Sequence, residues 1–142
     1  MTAKEYLSQL ETMNIKIKHL LDEKQDLYSS LMSISSIDYS KDRVSGGNVS
    51  SDAVFVNKII HMITLEEKIN KNIDEYADLK HTIIGQIHNL QSLNHIKLLY
   101  KLYVENKSLK HIAKEMNYTY QYVRELHQKA LAEFERTYTN LH

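Results

Sequence analysis

The fold of this chain is decided by the stretch Ser108–Phe134, which reads SLKHIAKEMNYTYQYVRELHQKALAEF. In its first half, Leu109–Met116, apolar residues recur at intervals of three and four, which predicts a short amphipathic helix. Ser108 stands where a helix N-cap is preferred. Asn117 breaks the apolar pattern in a position that suits a left-handed turn, and Thr119 can cap the helix that follows. We therefore predict two short helices joined by a sharp turn, a helix–turn–helix motif.

The second of these helices, expected to start at Tyr120, separates a buried face from an exposed one. The residues expected to be buried recur at helical spacing and are Val123, Leu126, Ala130 and Phe134. The residues expected to point outward are polar, and we interpret them as candidates for reading DNA bases: Tyr120, Gln121, Arg124, Glu125 and Gln128. Arginine can pair with guanine through two hydrogen bonds, glutamine can pair in the same way with adenine, and glutamate can accept a bond from cytosine.

A second set of residues fits contacts to the DNA backbone, because lysines and helix N-termini bind phosphate without reading sequence. These candidates are Lys107, Ser108, Lys110, Lys114, Thr119, Tyr122 and Lys129. A solvated helix face would show the same spacing, so spacing alone leaves DNA binding and a purely structural motif both open.

Composition limits the classes of protein to which the chain can belong. It has 142 residues with no Pro, no Trp, no Cys and three Gly, which favours long uninterrupted helices and excludes disulfides. No run of about 18 apolar residues and no signal-peptide pattern occurs, so we expect a cytoplasmic protein that does not enter a membrane. The net charge of zero is divided unevenly: from Asn94 onward eight Lys/Arg stand against five Glu, which leaves +3 there and −3 before it. This asymmetry suits a basic DNA-facing module on an acidic support.

The first 92 residues predict a long antiparallel helical hairpin that serves for assembly. Apolar residues recur with alternating steps of four and three over about 2–34 and again over 52–90, as in coiled coils. A Ser/Gly-rich loop, 35–51, joins the two helices, and its Asp42-Arg43-Val44 is either a contact site or part of a solvated connector. Since a two-helix hairpin buries little apolar area, we expect a homodimer through the hairpin. A third helix, Leu93–Glu105, would complete a three-helix module over residues 93–142.

Nothing in the sequence predicts catalysis, a cofactor or a metal site. The eight His lack the spacing of a His-Glu-x-x-His motif. His81, His88 and His95 recur every seven residues, about 10 Å apart along a helix, which is too far to share one ion. No Gly-rich phosphate loop and no nucleophile elbow occurs. We expect that the chain is not an enzyme.

The same C-terminal stretch resembles region 4 of bacterial sigma factors. The resemblance is carried without a gap by Ser108-Leu109, Ile112-Ala113-Lys114-Glu115-Met116, Thr119, Val123-Arg124 and Lys129-Ala130-Leu131. The chain departs from that family at Asn117, where Gly is usual, at Tyr118, where Val is usual, and at Tyr120 and Tyr122, where basic residues are frequent. The resemblance therefore implies the fold more directly than it implies a promoter target.

Over nearly its full length, the chain is similar to short phage and prophage regulators of the RinA and ArpU group. The likeness rests on the opening MTAKEYLSQL, on Asp42-Arg43-Val44-Ser45 and on the C-terminal third. It implies a transcriptional regulator that binds double-stranded DNA in a bacterial host cell, an activator of phage late or packaging genes, with host RNA polymerase as a further possible partner. The alternative is a protein-interaction module, an anti-repressor or a polymerase- or terminase-binding protein, in which the helix–turn–helix is structural.

Overall fold

The computed structural model describes residues 1–35 and 49–139, and every regular element in them is helical. The prediction of an all-α fold is therefore confirmed. The elements in chain order are α1 (Ala3–Ser35), α2 (Val49–His88), α3 (Leu93–Leu99), a π-helical segment (Tyr100–Val104), α4 (Leu109–Met116) and α5 (Tyr120–Thr137). None of these helices combines the length and the hydropathy that a membrane span requires.

Short polar residues begin the helices, as their positions in the sequence indicate. At α1, the Thr2 N–H donates to Glu5 Oε2 (3.0 Å) and the Glu5 N–H donates to Thr2 Oγ1 (3.1 Å), which is the reciprocal arrangement of a capping box. At α3, Ser92 Oγ accepts from the His95 N–H at 3.4 Å. Each cap satisfies backbone N–H groups that have no partner inside the helix.

The described residues form two compact units. Unit 1 consists of residues 1–14 and 75–142, and unit 2 consists of residues 15–74. Helices α1 and α2 contribute to both units. The predicted boundary after Ser92 differs from this division, because both ends of the predicted hairpin pack into the core of the C-terminal module.

Unit 1 has its main core where the beginning of α1 and the end of α2 meet α3, the π-helical segment and α5. Its buried members are Ala3, Tyr6, Leu7, Leu10, Ile83, Ile87, Leu90, Leu99, Tyr103, Val104, Ala130, Leu131 and Phe134. Polar contacts add to it: the Ala3 N–H donates to Glu135 Oε1 (2.9 Å), and the Tyr6 hydroxyl donates to Gln86 Oε1 (2.7 Å). The carboxylate of Glu135 thus lies at the N-terminus of α1, where negative charge is favourable.

In unit 2, α1 and α2 run antiparallel. Lys24 Nζ lies 3.4 Å from Glu66 Oε1, His61 Nε2 lies 3.5 Å from Glu23 Oε2, and Lys58 Nζ donates to Ser30 Oγ. The buried apolar residues are few: Ile17, Leu31, Leu65 and Ile69.

The region around the predicted loop 35–51 is described only in part. Ser35 belongs to α1, and Val49, Ser50 and Ser51 belong to α2, so both helices extend further into this region than predicted. Residues 36–48, which include the candidate contact Asp42-Arg43-Val44, lie outside the described residues.

Candidate nucleic-acid interface

The turn between α4 and α5 has the geometry that the sequence predicts. Asn117 adopts the left-handed conformation, with φ 60° and ψ 41°. The Tyr118 N–H donates to the Ala113 carbonyl (2.9 Å), and the Asn117 N–H donates to the Lys114 carbonyl (3.3 Å). These two bonds form a Schellman motif, which ends α4 and directs the chain into α5.

A second, smaller core holds α4 and α5 against α3. Its buried residues are Leu98, Ile112, Ala113, Val123 and Leu126, with Leu109 and Met116 packed against it. Because these side chains come from all three helices, the motif is fixed by packing as well as by its turn. The predicted buried face of α5 is confirmed, since Val123, Leu126, Ala130 and Phe134 are all buried.

The structure brings all five candidate base-reading residues together on the exposed side of α5. Tyr120, Gln121, Arg124, Glu125 and Gln128 are exposed. An α-helix fits the major groove of B-form DNA, and side chains from one face of its N-terminal half can then reach base edges. The arrangement is therefore sterically suited to that mode of contact.

The ring of Tyr120 lies close to two cationic side chains near this face. The Nζ atom of Lys110 lies 5.9 Å from the centre of the Tyr120 ring, and Cζ of Arg124 lies 5.8 Å from it. Both distances are within the range of cation–π attraction. Among the described residues neither cation forms a salt bridge, so both charges remain available to an external anion.

Lys107 differs from the other lysines predicted to bind phosphate, because its charge is already paired. Its Nζ donates to both carboxylate oxygens of Glu115 (3.0 and 2.9 Å) and lies 3.6 Å from Glu105. The hydrogen bond raises the pKa of Lys107 and lowers the pKa of Glu115. Lys114 and Lys129 are exposed, so they fit the backbone role better than Lys107 does.

Ser108 and Thr119 act as helix caps. Ser108 Oγ accepts from the His111 N–H (3.2 Å), and Thr119 Oγ1 accepts from the Tyr122 N–H (3.1 Å). Tyr122 itself is exposed, and its ring lies 4.6 Å from that of Tyr118, centre to centre. The sequence analysis did not include Tyr118 among the candidate interface residues, because the turn, and not the helix period, places it beside Tyr122.

Lys4 also lies beside the exposed face, and no feature of the sequence indicated this. It lines an open groove of unit 1 together with Leu109, Gln121, Arg124, Glu125, His127 and Gln128. The bond from the Ala3 N–H to Glu135 holds this end of α1 against α5, next to Lys4 in the chain. Only the tertiary packing of α1 on α5 brings the two together.

Behind the exposed face, His127 is buried and lies next to Tyr103. Its Nε2 atom is 2.7 Å from the Tyr103 hydroxyl. Burial lowers the pKa of His127, and the positive charge of Lys4 lowers it further. Burial also raises the pKa of Tyr103 to about 12, so both side chains are neutral near pH 7. The pair therefore supports α5 and adds no charge to the candidate surface.

A separate group of titratable residues lies at the start of α3. Residues 1–35 and 49–139 contain no cluster of three or more His, Asp or Glu side chains that could hold a metal ion. His95 bonds through Nδ1 to Glu133, and the Gln91 N–H donates to the other oxygen of that carboxylate (2.8 Å). Burial alone would raise the pKa of Glu133, but these bonds outweigh it and the pKa is lowered. This cluster ties the start of α3 to α5.

Fold and site together define an all-α protein with a packed helix–turn–helix that presents an exposed polar face. The chain belongs to a family of proteins of unknown function, DUF1492, whose model matches residues 31–135. The match includes all of α2, α3 and α4 and most of α5. No curated protein and no solved structure matches the chain.

Proposed function

We propose that the chain is a sequence-specific DNA-binding transcriptional regulator that inserts the N-terminal half of α5 into the major groove. The observation that carries this proposal is the exposed polar face of α5 on a motif fixed by its own core. The resemblance to sigma region 4 and to the RinA and ArpU group supports an activator of phage late or packaging genes in a bacterial host cell.

The residues of the interface divide into two roles. Arg124, Gln121 and Gln128 have side chains that can bond to base edges, and Glu125 can accept from cytosine. Lys110, Lys114 and Lys129 form no ion pair with the residues that the structure describes, so their ammonium groups can bind phosphate. We add Lys4 to this second group, because it lies beside Gln121 and Arg124 in the same groove. Lys107 contributes less, since its charge is held by Glu115.

The test begins with selection of bound fragments from the genome that encodes the protein, at a stated salt concentration. For the selected site, Arg124→Ala should weaken binding by about 1–3 kcal/mol and relax the preference for one base pair. The matched control is Arg136→Ala, an exposed arginine of the same helix about 18 Å further along it, which should leave affinity unchanged.

Lysine variants distinguish contacts to the DNA backbone from contacts that read the base sequence. Lys110→Ala and Lys4→Ala should weaken binding to all sequences about equally and reduce the salt dependence by about one phosphate contact each. Unchanged affinity in Arg124→Ala, with helicity retained by circular dichroism, would contradict the readout role. If no fragment is enriched, the alternative function is favoured, in which the chain binds a repressor, a polymerase or a terminase component and the motif is structural.

A further inference from the structure

Among its described residues, unit 2 exposes ten large apolar side chains, and six of them form two stripes, one on each helix. On α2, Val56, Ile59, Ile60 and Ile63 follow the i, i+3, i+4, i+7 pattern, so they share one helix face. On α1, Leu21 and Tyr28 are seven residues apart and also share a face. We call these six residues the open face. Their exposed fractions lie between 37% (Ile59) and 55% (Ile60), although all six are large and apolar.

Helical spacing turns both stripes toward the same side of the helix pair, and within the α2 stripe Ile59 lies nearest to the buried face. Each helix of the pair also has a buried face, which is formed by Ile17 and Leu31 on α1 and by Leu65 and Ile69 on α2. Viewed along each helix from its N-terminus, both exposed stripes are rotated from the buried face in the same sense. In an antiparallel pair that rotation puts them on one common side. The contacts Lys58–Ser30 and Lys24–Glu66 fix the register, so Tyr28 lies beside Ile59 and Ile60 and Leu21 lies about one turn beyond Ile63.

The opposite side of the pair is closed by polar contacts. His61 and Glu23 meet there at 3.5 Å, and Lys58 bonds to Ser30 on the same side. Val54, four residues before Lys58, lies on this side as an isolated exposed apolar residue. Because one side is polar and the other apolar, a partner that binds the open face produces a closed pair and not a chain of copies.

Two charges continue the open face beyond its apolar part. Lys18 lies three residues before Leu21, and Glu67 lies four residues after Ile63, so each occupies the same helix face as its apolar neighbour. Both are exposed. The antiparallel register places them within about one turn of each other, one on each helix, and the open face therefore ends in one positive and one negative group.

We propose that the open face binds the open face of a second copy of this chain. The two hairpins are related by a two-fold axis that runs parallel to the helices, so that α1 of each copy packs against α2 of the other. Tyr28 then faces Ile59 and Ile60 of the second copy. Lys18 faces Glu67 of the second copy, and the same pair occurs twice.

This geometry accounts for the size and the charge of the surface. Contiguous apolar patches of a few hundred Å² already reach the upper end of what monomers expose. A stable interface needs roughly 800 Å² per partner, which an apolar core of six side chains with a polar rim can supply. Lys18 of one copy can pair with Glu67 of the other only when the two hairpins run in the same direction. The charges therefore select one arrangement of the pair.

The proposal is tested by sedimentation of the full chain without DNA, which keeps the outcome independent of the proposed DNA binding. The parent protein should sediment as a dimer of the 16.7 kDa chain. Ile60→Asp should weaken dimerisation at least a hundredfold while helicity by circular dichroism is retained, because Ile60 is exposed in the single copy. The matched control is Val54→Asp, the same class of change on the polar side, which should leave the dimer intact.

A charge exchange provides a second variant that does not depend on apolar truncation. Lys18→Glu should weaken dimerisation about tenfold, because it faces Glu67 of the second copy. The double change Lys18→Glu with Glu67→Lys should restore it. A monomeric parent protein, an intact dimer in Ile60→Asp, equal dissociation by Val54→Asp, or no restoration by the double change would each overturn the proposal.

Discussion

His127 couples the stability of unit 1 to pH. Burial lowers its pKa below the ordinary value of 6.5, so the folded chain resists protonation there while the unfolded chain does not. Above pH 6.5 neither state binds the proton and the contribution is fully present. As the pH falls below 6.5, the unfolded state binds more protons than the folded state, so the free energy of unfolding must decrease.

The measurement is the thermal or urea unfolding midpoint between pH 7.5 and 5.5. The contribution of this single site cannot exceed about 1.4 kcal/mol for each pH unit. His127→Gln keeps a polar group beside Tyr103 but removes the titration, so its stability should depend less on pH. His19→Gln, at an exposed histidine of α1, is the control and should retain the parent slope. Equal slopes in the parent and in His127→Gln would contradict this coupling.

At the same scale, single residues differ in how far the sequence identifies their role. Asn117 was identifiable, because a residue tolerant of positive φ interrupts an apolar period where a turn is needed. Lys4 was not identifiable, because it approaches Arg124 only after the start of α1 packs on α5. Lys107 looked like its neighbouring lysines, and only the position of Glu115 distinguishes it.

At the scale of elements, Gly85 lies inside α2, where glycine is less favourable than alanine. The helix continues without interruption past this residue to His88. A Cβ atom added at Gly85 would meet no heavy atom within 4 Å. Gly85→Ala should therefore raise the free energy of unfolding by about 0.5–1 kcal/mol, since Ala loses less conformational entropy in a helix.

Urea unfolding of the full chain measures this change. The reverse substitution Ala77→Gly, at an exposed position of the same helix, is the matched control and should lower stability by a similar amount. A loss of stability in Gly85→Ala would mean that the position needs the freedom of glycine after all.

Helix positions were largely predictable from period and capping residues, whereas two details of helix geometry were not. The predicted helix over Leu93–Glu105 is an α-helix followed by the π-helical segment Tyr100–Val104. The apolar spacing of this stretch does not distinguish an α-helix from a π-helical segment. In α2, Ile59 and Ile73 follow the alternating steps of four and three from Phe55 but are exposed, whereas Leu65, which does not follow them, is buried. A helix with 3.6 residues per turn drifts away from a strict 3.5-residue pattern, so such steps do not locate the buried face over the whole helix.

At the scale of the molecule, composition predicted a basic C-terminal part but not how its charge is used. Lys101 and Lys107 both contact Glu115, which lies 3.4 Å from the first and 2.9 Å from the second. Since Glu105 also lies 3.6 Å from Lys107, two carboxylates pair these two charges within unit 1. Lys4, from the acidic N-terminal part of the sequence, lies beside α5 instead. The charge available to a partner therefore depends on packing between distant segments, which a count along the chain does not reveal.

The two proposals together predict how assembly affects DNA binding. A single helix–turn–helix reads few base pairs, so two linked copies gain affinity from two half-sites on one DNA fragment. The parent protein should bind a fragment with paired half-sites at least tenfold more tightly than a fragment with one. Ile60→Asp should bind both fragments with the parent's one-site affinity, because it leaves Arg124 and the rest of the α5 face intact.

Titration of both fragments at one salt concentration measures the ratio of the two affinities, with Val54→Asp as the variant expected to keep the full gain. An equal gain in Ile60→Asp would mean that the open face does not link the two copies on DNA, whereas loss of one-site binding would mean that the change disturbs the DNA-binding module itself.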